Sequence, residues 1–185
     1  MNPNRTSRRA LLLGGAALAL TACNRYGETP GQRIDRRVDA ALQFMFTNIP
    51  GSRALYDKAA GALIFPVITE AGFGIGGAYG EGALRVGGVT VDYYSAFSAS
   101  WGLQIGAQQY SHVLFFMTPE SLAEFRASQG WTFGGKAGFV IKDRAGLVAV
   151  NTAQVLAPVV ALTFGEAGII IGAKIEGTKY TRINR

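Results

Sequence analysis

The chain has 185 residues, 49% of them hydrophobic and 25 of them glycine, with one cysteine and one histidine. A single thiol excludes an internal disulfide, and one thiol with one imidazole is too small an inventory for a zinc-type centre, so stability must come from packing. The formal charge of +6 is not gathered into the basic stripe of a nucleic-acid binder, and the apolar content argues against disorder.

In chain order, residues 1–22 have the pattern of a removable export signal. Arg5, Arg8 and Arg9 lead into an unbroken small and apolar run from Ala10 to Ala22. As a helix that run would reach roughly 20 Å, short of a hydrocarbon core of about 30 Å. Leu20-Thr21-Ala22-Cys23 resembles the lipobox of bacterial lipoproteins, which implies cleavage before Cys23 and acylation of its thiol. Ser7-Arg8-Arg9-Ala10-Leu11-Leu12 resembles the twin-arginine export motif, which implies export of a folded domain. Asn24 stands where Asp would resemble an inner-membrane retention signal, so the expected location is the outer membrane, facing the periplasm. Loss of three arginines with residues 1–22 lowers the net charge from +6 to +3.

Residues 23–28 read as a short lipidated tether, and residues 29–185 as one domain. Thr29-Pro30-Gly31-Gln32 fits a helix start with a capping box, and Ile34, Val38, Ala41, Leu42, Met45 and Ile49 follow at helical spacing. Pro50-Gly51 stops this helix, and Ser52 is placed to cap a shorter second one. From Ala62 the period changes to two. Leu63-Ile64-Phe65 reads as one buried strand and Ala71 to Ala83 as another, whose even positions are Gly72, Gly74, Gly76, Ala78, Gly80 and Gly82. One face of that strand is nearly bare, so backbone from another element can approach it closely, or the sheet can bend sharply there. Ser100 to Gly106 and Val113 to Phe116 read as further strands. Thr118-Pro119-Glu120 begins a helix with Leu122 and Phe125 on its buried side. Sheet-like stretches follow at 131–133, 137–141, 147–150 and from Ile169 to Ile183, while 152–164 is ambiguous between helix and strand because of Pro158. The expected class is α+β: a glycine-rich, largely antiparallel sheet, closing into a barrel in its extreme form, with N-terminal helices and one internal helix.

Four stretches resemble the SYLF domain over residues 59–183. They are Gly61 to Pro66, Ala71 to Gly77, Gly102 to Gln108 and Gly168 to Gly177, with the helix at Pro119 to Ser128 in the family's position. Asp92-Tyr93-Tyr94-Ser95-Ala96 replaces the Trp-Ser-x-Pro block of many members and is similar to the bacterial branch. The resemblance implies phospholipid binding, with actin binding in some eukaryotic members, through an amphipathic N-terminal helix and nearby basic residues. Those residues correspond here to Arg33, Arg36 and Arg37. Arg53 and Lys58 would extend the patch, and Lys136, with Lys142 and Arg144, would form a second one. In the periplasm the expected lipid is anionic, such as phosphatidylglycerol or cardiolipin, and Phe44 and Phe46 are available to enter the headgroup zone.

No catalytic constellation stands out. Gly72-x-Gly74-x-x-Gly77 with Asp92 matches a dinucleotide fingerprint in form only, because glycine alternation continues through Gly80 and Gly82 as in a strand. His112 lacks a Gly-x-Ser-x-Gly partner and reads as a strand residue, and the twelve carboxylates show no distinguishing spacing. The expectation is a non-enzymatic lipoprotein without cofactor, metal or nucleic acid, contacting anionic phospholipid. The alternatives are an envelope module that binds a protein partner or self-associates, and a small transmembrane barrel. Replacing Cys23→Ser is expected to abolish metabolic labelling with a palmitate analogue and to release the chain from the membrane fraction. Unchanged labelling would exclude this thiol as the attachment point.

Overall fold

The computed structural model describes residues 27–133, 139–140, 157–165, 168–169 and 177–185. The export signal, Cys23 and most of the tether lie outside these residues. So do Lys136, Lys142, Arg144 and the strand expected at 147–150.

The first helix, α1 (Pro30–Asn48), starts as its sequence dictates. The Thr29 hydroxyl accepts from the Gln32 amide at 3.2 Å, and the Thr29 amide donates to Gln32 Oε1 at 2.9 Å. Its buried side is Ile34, Val38, Ala41, Leu42 and Met45, continued by Ile49 just past its end. Each fully buried Val, Leu, Ile or Met contributes about 1.5–3 kcal/mol. The second helix, α2 (Ser52–Lys58), corrects one expectation. Its cap is Gly51, with φ of 82°, while Ser52 is buried and donates its hydroxyl to the Met45 carbonyl at 2.9 Å. The side chain that looked like a cap for α2 instead satisfies the end of α1.

The strands expected from Leu63 to Ala83 and from Ser100 to Phe116 belong to two much longer ones. These are β1 (Gly61–Val86) and β2 (Val89–Phe116), joined by a turn at Gly87 and Gly88 with φ of 59° and 82°. Pro66 does not end β1. The strand has β2 as its one neighbour among the described residues, and the register shifts between Phe65 and Ile68, where a residue without an N–H is tolerated. The Ser111 hydroxyl donates to the Pro66 carbonyl across this bulge at 2.8 Å.

The bare face of β1 lets the hairpin fold upon itself. A Cβ on Gly80 would lie 2.7 Å from the Val67 carbonyl oxygen, and one on Gly82 would overlap that of Ile64. The backbone that approaches the glycines therefore comes from the first part of the same strand.

After α3 (Pro119–Ala127), capped by Thr118, come β3 (Trp131–Thr132), β4 (Phe139–Val140), β5 (Val159–Gly165), β6 (Gly168–Ile169) and β7 (Lys179–Ile183). The ambiguous 152–164 stretch thus ends as a strand, with Pro158 immediately before it. The seven strands form one half-barrel sheet, antiparallel except for β4 beside β5. Beyond its pairing with β1, β2 pairs with β7 over Tyr93–Phe97 and with β5 over Ser111–Phe116. Its C-terminal end is thus a central strand, and its two faces are buried in separate apolar clusters, which explains the continuous apolar run Val113 to Phe116. Ile64, Val113, Phe115, Leu162 and Phe164 face α1, whereas Leu63, Leu114, Phe116 and Ala161 face a second cluster with Phe125, Phe133 and Tyr180. The domain is α+β and sheet-dominated, with three helices among the described residues.

Because the obstruction at Gly82 is backbone, a single methyl group cannot be absorbed by a rotamer change. Gly82→Ala is expected to cost about 1–3 kcal/mol, or roughly 3–10 °C in thermal midpoint for a domain of this size. A melt superimposable on that of the parent would show that β1 does not pack on itself.

Candidate functional site

The rotational setting of α1 is fixed by its acidic flank. Asp35 accepts from the Thr90 hydroxyl at 2.6 Å and from the Tyr93 hydroxyl at 2.8 Å. Arg85, largely buried, donates to Asp39 at 2.7 Å and lies 3.7 Å from Asp35. Burial, reinforced by the hydrogen bond to Asp35, raises the Tyr93 phenol above its ordinary value and keeps it a donor. The acidic side chains of the helix are thus committed to the turn end of the β1–β2 hairpin.

Residues four, seven and eleven apart share a helix flank, so Arg33, Arg37 and Phe44 line the side away from these contacts. Both arginines are exposed, and neither has a carboxylate within 4 Å among the described residues. They border a groove of about 1120 Å³ between α1 and the folded hairpin. Ile34, Ala41, Phe44, Phe164, Pro66 and Val67 make its apolar surfaces, and Phe44 stacks on Phe164 with ring centres 6.0 Å apart. The opposite wall carries Thr69, Gln109, Tyr110, Ser111, Tyr79 and Glu81.

That wall is largely satisfied internally. Gln109 donates to Thr69 at 3.1 Å, and Tyr79 donates to Glu81 at 2.8 Å. Glu81 also pairs with Arg185, whose hydrogen bonds hold its carboxyl below the usual carboxylate range. Its negative charge is therefore balanced where it faces the groove. Burial pushes the Tyr110 phenol up to about 12, so it stays protonated. Tyr79 and its cross-strand partner Phe97 are 51% and 56% exposed, leaving an aromatic pair beside the groove.

The remaining basic candidates lie outside the groove lining. Arg36 is exposed and pairs with Glu28. Phe44 and Phe46 are two residues apart, about 200° around the helix, so they occupy different flanks. Phe46 packs edge-on against Tyr56, and Arg53 lies 4.9 Å over its ring while pairing with Asp57 at 3.0 Å. Lys58 is exposed in the last turn of α2, where a cation complements the helix dipole. Arg53 is thus committed on the Phe46 flank and does not continue the Arg33–Arg37 row.

The other sequence candidates take structural places. Gly72 and Gly77 lie inside β1, with no helix opening at them, and Asp92 bridges Arg126 and Arg182 at 3.4 and 3.5 Å. His112 is fully buried, its Nε2 2.8 Å from the Tyr180 hydroxyl and its Nδ1 3.4 Å from Thr163 Oγ1. Among the described residues no group of three or more His, Cys, Asp or Glu is placed to hold a metal ion, and no helix is long and apolar enough to cross a membrane.

Comparison with known proteins is consistent with this domain. Residues 97–184 match the Ysc84 family model, described as Las17-binding protein actin regulator. The chain is also 30% identical over 155 residues to Beta cell expansion factor A of Aeromonas veronii, an alignment covering 80% of this chain and 55% of that protein. The chain thus spans about half the length of the curated relative it matches. The family match begins within β2 and leaves α1 outside it.

His112 gives the fold a pH signature. Desolvation lowers its imidazole from an ordinary value of 6.5 to about 3, so folding favours the neutral ring. Its contribution to stability is complete above pH 6.5 and is lost as pH falls toward 3. The loss approaches about 1.4 kcal/mol per pH unit inside that window. The stability difference between the parent and His112→Gln is expected to shrink progressively from pH 6.5 to pH 4 in urea titrations. A difference independent of pH would contradict burial of a neutral ring.

Proposed function

Because the chain belongs to the SYLF-domain family, we propose that it is a non-enzymatic, lipid-anchored protein of the bacterial envelope that contacts anionic phospholipid through the basic flank of α1. The family is one of binding domains, related to lipid and actin-patch binding. The observation that carries the finer reading is the division of charge on α1. Asp35 and Asp39 are taken up by Arg85, Thr90 and Tyr93, while Arg33 and Arg37 are exposed and have no acidic partner among the described residues. An anionic surface is attracted to that flank without first breaking an ion pair.

The energetic scale fits an accessory contact. A basic residue near an anionic leaflet contributes about 1 kcal/mol, and a surface attraction of this kind weakens with salt. Two arginines give transient binding, and acylation at Cys23 would supply residence at the periplasmic side of the outer membrane. The rival reading, a protein-binding or self-associating module, predicts no dependence on lipid charge.

Flotation with phosphatidylglycerol-containing and purely phosphatidylcholine vesicles tests the choice, using Cys23→Ser protein so that no acyl chain contributes. Preference for the anionic vesicles is expected, and Arg33→Ala with Arg37→Ala is expected to weaken it roughly 30-fold, the equivalent of about 2 kcal/mol. Arg53→Ala is expected to have little effect. Equal binding to both vesicle types would favour the rival.

A further inference from the structure

We propose that the groove between α1 and the hairpin holds one single-chain anionic amphiphile, with its headgroup at Arg33 and Arg37 and its hydrocarbon along Phe44 and Phe164. This deepens the membrane-contact reading and rests on it, but asks more of the molecule. A surface that only touches a bilayer needs no cavity. Here the basic pair borders a groove of about 1120 Å³, slightly above the roughly 300–1,000 Å³ typical of small-molecule sites.

Three features of the groove fit such an occupant. First, its charge is one-sided: Arg33 and Arg37 are one helical turn apart, and Glu81, the one carboxylate in the lining among the described residues, is already bound by Arg185 and Tyr79. A phosphate or carboxylate is the group that adjacent guanidiniums bind through paired hydrogen bonds. Second, the groove has length. Arg33 and Phe44 are separated by about 16 Å of helix rise, and Ile34, Ala41 and the stacked Phe44–Phe164 rings supply apolar surface along the way. Third, the edge is amphipathic. Tyr79 with Phe97 and half-exposed Val67 place aromatic and aliphatic groups beside the groove, as expected of a mouth that meets the interfacial zone of a membrane.

The remaining wall does not compete. Thr69, Gln109 and Ser111 have hydrogen-bond partners of their own, and among the described residues no side-chain polar atom of this wall is both buried and unpartnered. The apolar lining lies mainly along Ile34, Ala41, Phe44 and Phe164, and the facing wall is mostly polar, so the groove offers hydrocarbon contact to one chain.

The test uses Cys23→Ser protein and myristoyl-lysophosphatidylglycerol below its micelle concentration, followed by native mass spectrometry and calorimetry. A one-to-one complex is expected, at least tenfold tighter than with the matching lysophosphatidylcholine, and no measurable complex with glycerol phosphate. Ala40→Trp, which projects a large ring into the groove from an exposed helix position, is expected to weaken uptake at least tenfold with the thermal midpoint unchanged. Absence of a one-to-one complex with flotation intact would overturn the groove and leave the membrane-contact reading standing. Equal binding of glycerol phosphate would reduce the site to an anion patch, and indifference to Ala40→Trp would place the chain elsewhere. Loss of charge-dependent flotation in the parent protein would remove the premise itself. If Ala40→Trp shifts the midpoint, Arg33→Ala with Arg37→Ala replaces it, and retention of full lysophosphatidylglycerol affinity would overturn the headgroup assignment.

Discussion

The contact between Asp35 and Asp39 on α1 and Arg85, Thr90 and Tyr93 on the hairpin is the constraint on which the functional surface depends. Burial of Ile34, Val38 and Met45 holds the helix against the sheet, but an apolar stripe alone tolerates some rotation. The two carboxylates remove that freedom. They consume the negative charge of the helix on one flank and leave Arg33 and Arg37 uncompensated on the other. A helix with both charges facing water would present an anionic surface with attraction and repulsion together.

The hairpin can receive the helix in this way because β1 bends back against itself. Gly80 and Gly82 admit the carbonyls of Val67 and Ile64 at distances no other residue allows. The fold-back places Val67, Tyr79 and Glu81 on the walls that face α1, so residues at opposite ends of one strand line a single groove. The bulge at Pro66 contributes to the same geometry, since a residue without an amide proton sits where the register slips. Stability and site are therefore built from one device, and the groove forms only when the hairpin has closed.

Much of this was legible locally. The capping box at Thr29 and Gln32, the apolar period of α1 and the cap and proline of α3 are short-range signals that the structure repeats. The bare face of β1 also announced a close backbone approach. What could not be read was which backbone approaches, because that depends on the strand's three-dimensional path. The same limit explains why two long strands read as four shorter ones: that β1 bulges at Pro66 and continues depends on its pairing with β2. Ser52 has the chemistry of a cap, yet its hydroxyl turns to Met45. At the site, the basic cluster is visible on α1, whereas the rest of the groove lining comes from residues some 30 to 130 positions further along the chain. The one overlooked local signal is Asp35 with Asp39, spaced four apart and opposite the arginines.

The central claim is that the Arg33–Arg37 flank of α1, and not the domain surface in general, meets anionic lipid. Spin labels in a Cys23→Ser background test it most directly, one at Ala40 on the groove flank and one at exposed Ala54 on α2. With phosphatidylglycerol vesicles, the account predicts that the Ala40 label becomes accessible to oxygen and shielded from an aqueous nickel reagent, while the Ala54 label stays in water. Labels that both remain aqueous, or that respond equally to neutral vesicles, would contradict it.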